Sequence, residues 1–527
     1  MSDEQKLLKL IAQVEEVSHR LVDHWQTMAI VESLGYTDRI IQEEFGFADV
    51  LEIGQYIYRI NSDKFNSQIN ISNQPNQIAV AKNEKTTASS WKKILIIELY
   101  AFVEQFSRSF VYAIPLISLL ILGNIPTVDS WKFISPQLAA LFTLATLASL
   151  ITSGGFVQAI ARRGEFYLGL GFPQQARRAC ISLLGLGMLT SFILAVISLW
   201  FGFYRSLFPD AYLVLGAGYY LVLSLLWMLL SILSLLSVWG TPLTLISLTL
   251  LFWILRFQAA MGALEAQIIA IFVTLILLAI AVLILFRKQQ LAHPVDGEVE
   301  LPNLSATGYL LAPFFAYGIT YFCFIFADRL VAGWAVDTAS GLIFAINSAY
   351  QRAMDLALLN FLLAVPLSEY LAYKLIRYWY RRAKEVSFEE MATFSQKLHQ
   401  YYLILMGIIF LFLGLLVMFT IGIPPKPWAT VNLTLTWVGC LGYLLLVLGL
   451  LNAVILFSLN LVSTVIQSLF PSLIVNLIVG YIAANAIAPE WAVIGLVTGS
   501  FVFVCLSRQQ VLQAIKNPDY AYYLGGY

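Results

Sequence analysis

The sequence predicts an all-α, polytopic membrane protein: about twelve transmembrane helices in two six-helix bundles, preceded by a small helical cytoplasmic domain. Three observations carry this expectation. Of the 527 residues, 59% are hydrophobic and only 12% charged, whereas a soluble domain carries about 25% charged residues. Beyond Trp91 the apolar residues gather into runs long enough to cross a membrane, which takes ~20 residues in a helix. The longest polar break among these runs, FRKQQLAHPVDGEVELPNLSA at 286–306, divides them six and six.

Residues 1–62 are polar and helical in period. LLKLIAQVEEVSHRLVDHW repeats apolar residues three and four apart, and two shorter helical stretches follow, with turns at Gly35 and Gly46. So small a domain buries little surface alone and is expected to dock on something. Residues 63–90, rich in Asn, Gln, Ser and Lys, read as a flexible linker. The N-terminus lacks a basic region followed by an apolar core, so it does not read as a cleavable signal peptide, and the first membrane helix directs insertion.

The first bundle, residues 91–286, contains candidate spans at 92–123, 136–161, 178–203, 212–238, 241–257 and 261–286. A cytoplasmic linker at 287–305 follows, and the second bundle, residues 306–510, contains spans at 306–327, 340–365, 400–422, 430–457, 462–485 and 490–507. Residues 511–527 read as a cytoplasmic tail. The fifth span is short and only Gly240 separates it from the fourth, so eleven is the alternative count.

Basic residues set the orientation, because cytoplasmic loops retain Lys and Arg. With the N-terminus inside, the inner loops carry Arg162, Arg163, Arg177 and Arg178, then Arg287 and Lys288, then Lys374, Arg377, Arg381, Arg382 and Lys384, eleven in all. The outer loops carry five: Lys132, Arg205, Arg256, Arg329 and Lys426. The asymmetry predicts an integral inner (plasma) membrane protein with both termini cytoplasmic.

Other classes are weakly supported. Lys plus Arg equals Asp plus Glu at 31 each, so no global field attracts nucleic acid. The four cysteines, Cys180, Cys323, Cys440 and Cys505, stand singly in or beside apolar segments and read as core fillers. None of the four histidines falls within a span, and no metal site or other cofactor is expected. Gly169 to Gly171 follow a membrane helix and lack the Gly-Lys-Ser/Thr ending of a phosphate-binding loop, so the chain does not read as an enzyme.

An ionisable residue within a span costs at least ~2.5 kcal/mol on insertion scales and needs a partner or water, so each is a candidate functional residue. Glu104 and Arg108 lie four apart on the first span, and Arg352 and Asp355 three apart on the eighth, both spacings that allow a pair. These pairs either line a water-filled cleft between bundles or neutralise themselves and hold helices together. Asp328 and Arg329 are read at the end of the seventh span and Glu369 near the cytoplasmic end of the eighth, where snorkelling to the interface is the alternative to a cavity role. Tyr317, Tyr321 and Tyr350 present rings and hydroxyls suited to stacking on sugars, with an interfacial belt as the other reading. Pro313, Pro366 and Pro471 lie in or at the ends of spans, where proline kinks helices.

The six-plus-six layout and the segment GGFVQAIARRGEFYLGLGFPQQARRAC, in which Gly154, Gly155, Gly169 and Gly171 lead to Ala176, Arg177 and Arg178, resemble the multidrug, oligosaccharidyl-lipid and polysaccharide flippase superfamily. With ITSGGFVQAI, ITYFCFIFADRLVAGW and the basic connection between spans eight and nine, the chain looks most like its polysaccharide exporters, including the Pel-type exopolysaccharide group. The likeness implies a MATE-like pair of bundles rocking about a central cavity, and export of a polysaccharide or lipid-linked oligosaccharide. On that reading Arg108 and Arg352 contact phosphate or acidic sugar groups, Glu104, Asp355 and Asp328 balance charge or respond to an ion, and the tyrosines face sugar rings. The segment before Trp91 departs from ordinary flippases, and a cytoplasmic glycosyltransferase is its natural partner; Arg162, Arg163, Arg177 and Arg178 offer at most a contact to anionic membrane lipids. An organic-cation antiporter of the same superfamily and a non-transporting scaffold subunit of a synthase complex are the competing functions.

Overall fold

A computed structural model describes residues 24–60, 136–237, 239–292, 304–335, 347–383, 390–422 and 432–525, with the single residues Leu7, Leu10, Ile11, Gln13, Val14, Phe102, Phe344 and Val386. Of the expected first span, 92–123, only Phe102 is described; Glu104 and Arg108 lie outside the described residues. The chain divides into two compact units, Met1–Leu95 and Ile96–Tyr527.

In the first unit, α1 (His24–Ser33) and α2 (Asp38–Phe45) precede α3 at 50–60. The turns fall at Gly35 and Gly46, whose φ of +90° and +74° suits residues without a Cβ. Leu10, Val14, Val31, Ile41, Ile53 and Ile57 make its core.

The second unit is helical throughout its described residues. Its first half comprises α4 (Pro136–Gly169), α5 (Pro173–Arg205), α6 (Asp210–Leu236), α7 (Gly240–Trp253, continued by a π turn Ile254–Gln258) and α8 (Ala263–Ala292). Its second half comprises α9 (Leu304–Ala335), α10 (Ser348–Ala383), α11 (Met391–Gly422), α12 (Leu433–Ser458), α13 (Val462–Ala486), α14 (Val493–Lys516) and α15 (Pro518–Gly525). Eleven of these described helices are long and apolar enough to cross a membrane, α7 through its π turn and α14 with the short helix before it, and they match every expected span after the first.

The helices overrun their apolar cores. Arg162 and Arg163 lie inside α4, and Arg177 and Arg178 inside α5, so the expected long basic loop shrinks to residues 170–172. Gly171, at φ +79°, turns the chain, and Pro173 opens α5 with its preset φ. Arg381 and Arg382 likewise form the last turn of α10 rather than a loop. The expected tail is the end of α14 followed by α15, tied back where Trp379 Nε1 donates to the Pro518 carbonyl at 3.1 Å.

Among the described residues the longest seam between the halves is that of α4, which runs antiparallel along α9. A Cβ on Gly318 would strike the carbonyl oxygen of Gly154, and one on Gly155 would sit 2.7 Å from the Phe315 ring. The glycines of GGFVQAI therefore let the two backbones touch, as small residues do at membrane helix crossings. Phe156 meets Phe315 edge-on at 4.9 Å, and beyond it Arg162 donates to Asn460 Oδ1 at 3.2 Å and lies 5.1 Å from the Phe314 ring. The larger core belongs to the second half, where α12 is the most enclosed of the spans and packs between α10 and α14.

Candidate functional site

Charged groups gather where α9 and α10 meet. The apolar, helix-favouring LVAGWA after Asp328 and Arg329 prolongs α9 to Ala335, which sets both residues well inside the helix and buries them. They do not end the span, and they do not snorkel; their partners come from α10. Arg329 Nη1 donates to Asp355 Oδ1 at 2.8 Å, and Gln351 Nε2 donates to the same oxygen at 3.3 Å. Tyr350 Oη donates to Asp328 Oδ2 at 2.7 Å.

The pairing differs from the one that spacing allows. Arg352 is exposed and Asp355 faces α9, so the acid takes the buried Arg329 as its partner rather than its neighbour on the same helix. The physical reason is the medium: a guanidinium in apolar surroundings is stable only beside a carboxylate. Arg329 Nε and Nη2 still have no partner of hydrogen-bonding geometry among the described residues, and neither has Asp328 Oδ1.

The cluster reaches outward through amides. Asn347 Nδ2 donates to Glu490 Oε1 at 3.1 Å, while its Oδ1 accepts from the Tyr350 backbone N–H at 3.2 Å. A small cavity with room for about one water molecule opens beside Arg329, lined by Asn347, Tyr350 and Gln351 and closed by Thr143 and Leu147 of α4. The charged cluster thus sits against the seam, with a wall supplied by the other half. Two carboxylates, Asp328 and Asp355, face one guanidinium. Such an arrangement can exchange a proton or cation, or donate to an anionic group.

A second group lies further along α9. Tyr317 and Tyr321 stack at 5.7 Å with 17° between planes, and Phe457 meets Tyr317 edge-on at 4.6 Å. Glu369 is close enough to act electrostatically on both tyrosines. Tyr309 and Tyr373, by contrast, are exposed as belt residues are. Of the basic residues, Arg163 is buried, not solvated: it donates to Tyr167 Oη at 2.8 Å and lies over the Phe166 and Tyr167 rings.

Asn347, Gln351 and Glu490 were not singled out from sequence. Their signal was faint: single polar side chains in or beside apolar helices, of the same kind as Asn452 and Asn476, which bond between helices. Asn452 accepts from Tyr402 at 2.7 Å and donates to Ser507 at 3.0 Å, and Asn476 donates to the Phe324 carbonyl at 3.1 Å.

The apolar helices and the two packed halves define an integral membrane protein of the two-bundle kind. No protein-family model matches the sequence, and no curated protein matches it. Solved structures do match. A mutant of the Vibrio cholerae MATE transporter VcmN aligns over 82% of this chain and 100% of its own, with 14% identity and a TM-score of 0.51. A MATE protein in complex with MaD3S aligns over 79% of this chain and 96% of its own, with 14% identity and a TM-score of 0.50. The fold is therefore that of the MATE transporters.

Proposed function

We propose that this chain is a carrier that exports a polysaccharide or a lipid-linked oligosaccharide across the membrane by alternating access, its halves rocking about the α4–α9 seam. The observation that carries the reading is the meeting of Asp328, Arg329, Tyr350 and Asp355 under Thr143 and Leu147 of the opposite half. Charges held between two halves change their surroundings whenever the halves separate, which is what a carrier needs of a coupling or substrate site. Arg329 favours an anionic or hydroxylated cargo over an organic cation, since its uncommitted N–H groups donate and its charge repels a cation. The Tyr317–Tyr321 stack adds a ring surface of the type that sugars pack on. In this reading Arg108 and Arg352 meet acidic or phosphate groups of the cargo, and the N-terminal unit recruits a cytoplasmic glycosyltransferase.

The excess of carboxylates over guanidinium, two to one among Asp328, Asp355 and Arg329, favours the second reading, an ion-coupled organic-cation antiporter. Reconstituted vesicles separate the two. Translocation of a fluorescent lipid-linked oligosaccharide, lost in Asp328→Asn while the protein stays in the membrane, is expected. Extrusion of ethidium without glycan movement would transfer the assignment to the antiporter, and movement of neither would leave the scaffold role.

A further inference from the structure

The facing ends of α10 and α11 have no part in the site above, yet they form a shaped groove. Tyr378 and Arg382 lie one turn apart on α10, and Glu390, just before α11, lines the groove with Thr393, Phe394 and Lys397 of its first turns. Between them is a cavity of about 260 Å³. Its floor is the buried Phe394, 6.4 Å from the Tyr378 ring, which Tyr401 meets edge-on at 5.4 Å. Among the described residues, two cations, two hydroxyls and one carboxylate therefore surround a small space with an aromatic base.

What lies beyond the groove decides its ligand. Continuing along the same face of α11 at steps of four and three, Lys397 is followed by Tyr401, Ile404, Ile408, Leu411 and Leu415. The last four are exposed, Leu415 by 70%, whereas Leu398, Tyr402, Leu405, Ile409 and Leu413, about a third of a turn round the helix, are buried. Helix α11 has 32 residues, about 48 Å at 1.5 Å per residue, and the hydrocarbon core is only ~30 Å thick. The first turns must then stand at headgroup depth with the apolar track below them. A cationic pocket that runs into an apolar track has the chemistry of one amphiphile, an anionic head on acyl chains.

We propose that this groove binds the phosphate of an anionic lipid, with Arg382 and Lys397 holding the charge, Tyr378 and Thr393 donating to its oxygens, and the acyl chains lying along Ile404 to Leu415. The site is independent of what the carrier transports.

Binding of fluorescent phosphatidylglycerol to the full chain in detergent micelles tests it. The double variant Arg382→Gln, Lys397→Gln is expected to bind at least tenfold more weakly. Arg377→Gln, which removes an exposed charge of the same helix outside the groove, is expected to stay within twofold of wild type. Phosphatidylcholine should compete at least tenfold less well than unlabelled phosphatidylglycerol, and millimolar inorganic phosphate should not displace the lipid. Equal binding by the double variant, an equal loss in Arg377→Gln, or equal competition by phosphatidylcholine would each overturn the proposal. Displacement by inorganic phosphate would also overturn it, and assign the groove to a soluble phosphate. Thermal unfolding at the wild-type temperature keeps a binding loss from being read as misfolding.

Discussion

The two halves of the membrane unit share a helical plan but are held together by different chemistry. In the described first half, hydroxyls carry the bonds: some stay within a helix, as Ser153 does to the Ser149 carbonyl and Ser224 to the Tyr220 carbonyl, and others cross between helices, as Ser231 does to the Val157 carbonyl and Tyr220 to Thr152. In the second half, polar side chains cross from helix to helix: Arg329 to Asp355, Tyr402 to Asn452 to Ser507, Asn476 to the α9 backbone. A hydroxyl bonded to its own helix satisfies itself and leaves neighbours free to slide, whereas a bond between helices fixes register. The second half, where amides and an ion pair add to the bonds between helices, is the more closely specified frame, whereas the first half rests on hydroxyl bonds and its own apolar core.

Substitutions can break or sharpen that contrast, and the greatest loss is expected at the ion pair. Asp355→Ala leaves Arg329 buried without its carboxylate, at a cost of about 3–5 kcal/mol, read as a large drop in thermal stability of the purified protein. Replacing both partners, Arg329→Met with Asp355→Leu, should recover most of that loss while transport stays absent; equal instability of the single and double variants would deny the pair its place. Next comes the seam. Gly318→Val forces side-chain atoms onto the Gly154 carbonyl, an overpacking expected to cost about 1–3 kcal/mol or more, whereas Gly185→Ala, with open space around it, should be neutral or gain up to ~1 kcal/mol.

Asn452→Ala removes two bonds between helices and should cost about 1 kcal/mol. The smallest change is expected in the first half, where Ser153→Ala should stay within about 0.5 kcal/mol. If Ser153→Ala proved as damaging as Asn452→Ala, the division of labour between the halves would fail.

Much of this fold was legible in the sequence because burial in lipid writes itself as hydropathy. The eleven described spans appear where apolar runs were read, in the same order and separated at the same breaks. Their ends were not legible, because ARRGEFYLG and YRRA are polar yet form helix as readily as apolar residues do. The site was half legible. Asp328, Asp355 and Tyr350 stood out as polar residues in or near spans, but Arg329 was assigned to an interface because its acid lies 26 residues away on another helix. Local spacing named Arg352 as the partner of Asp355; only the reach of the Arg329 side chain from α9 to α10 reveals the competitor. Gly154 and Gly155 were visible as a small-residue motif, and Gly318, against which they close, carried no pattern of its own.

Helix α10 spans both places where charge collects. It has 36 residues, about 54 Å at 1.5 Å per residue, with Asp355 near one end and Arg382 at the other. Pro366 sits between them and offers no N–H, so the Leu362 carbonyl loses its intrahelical partner and the rod has a joint there. A push at the membrane surface and a pull at the buried ion pair thus act on two arms of one beam. The stiffness of a single proline turn sets how much of either motion is felt at the other end.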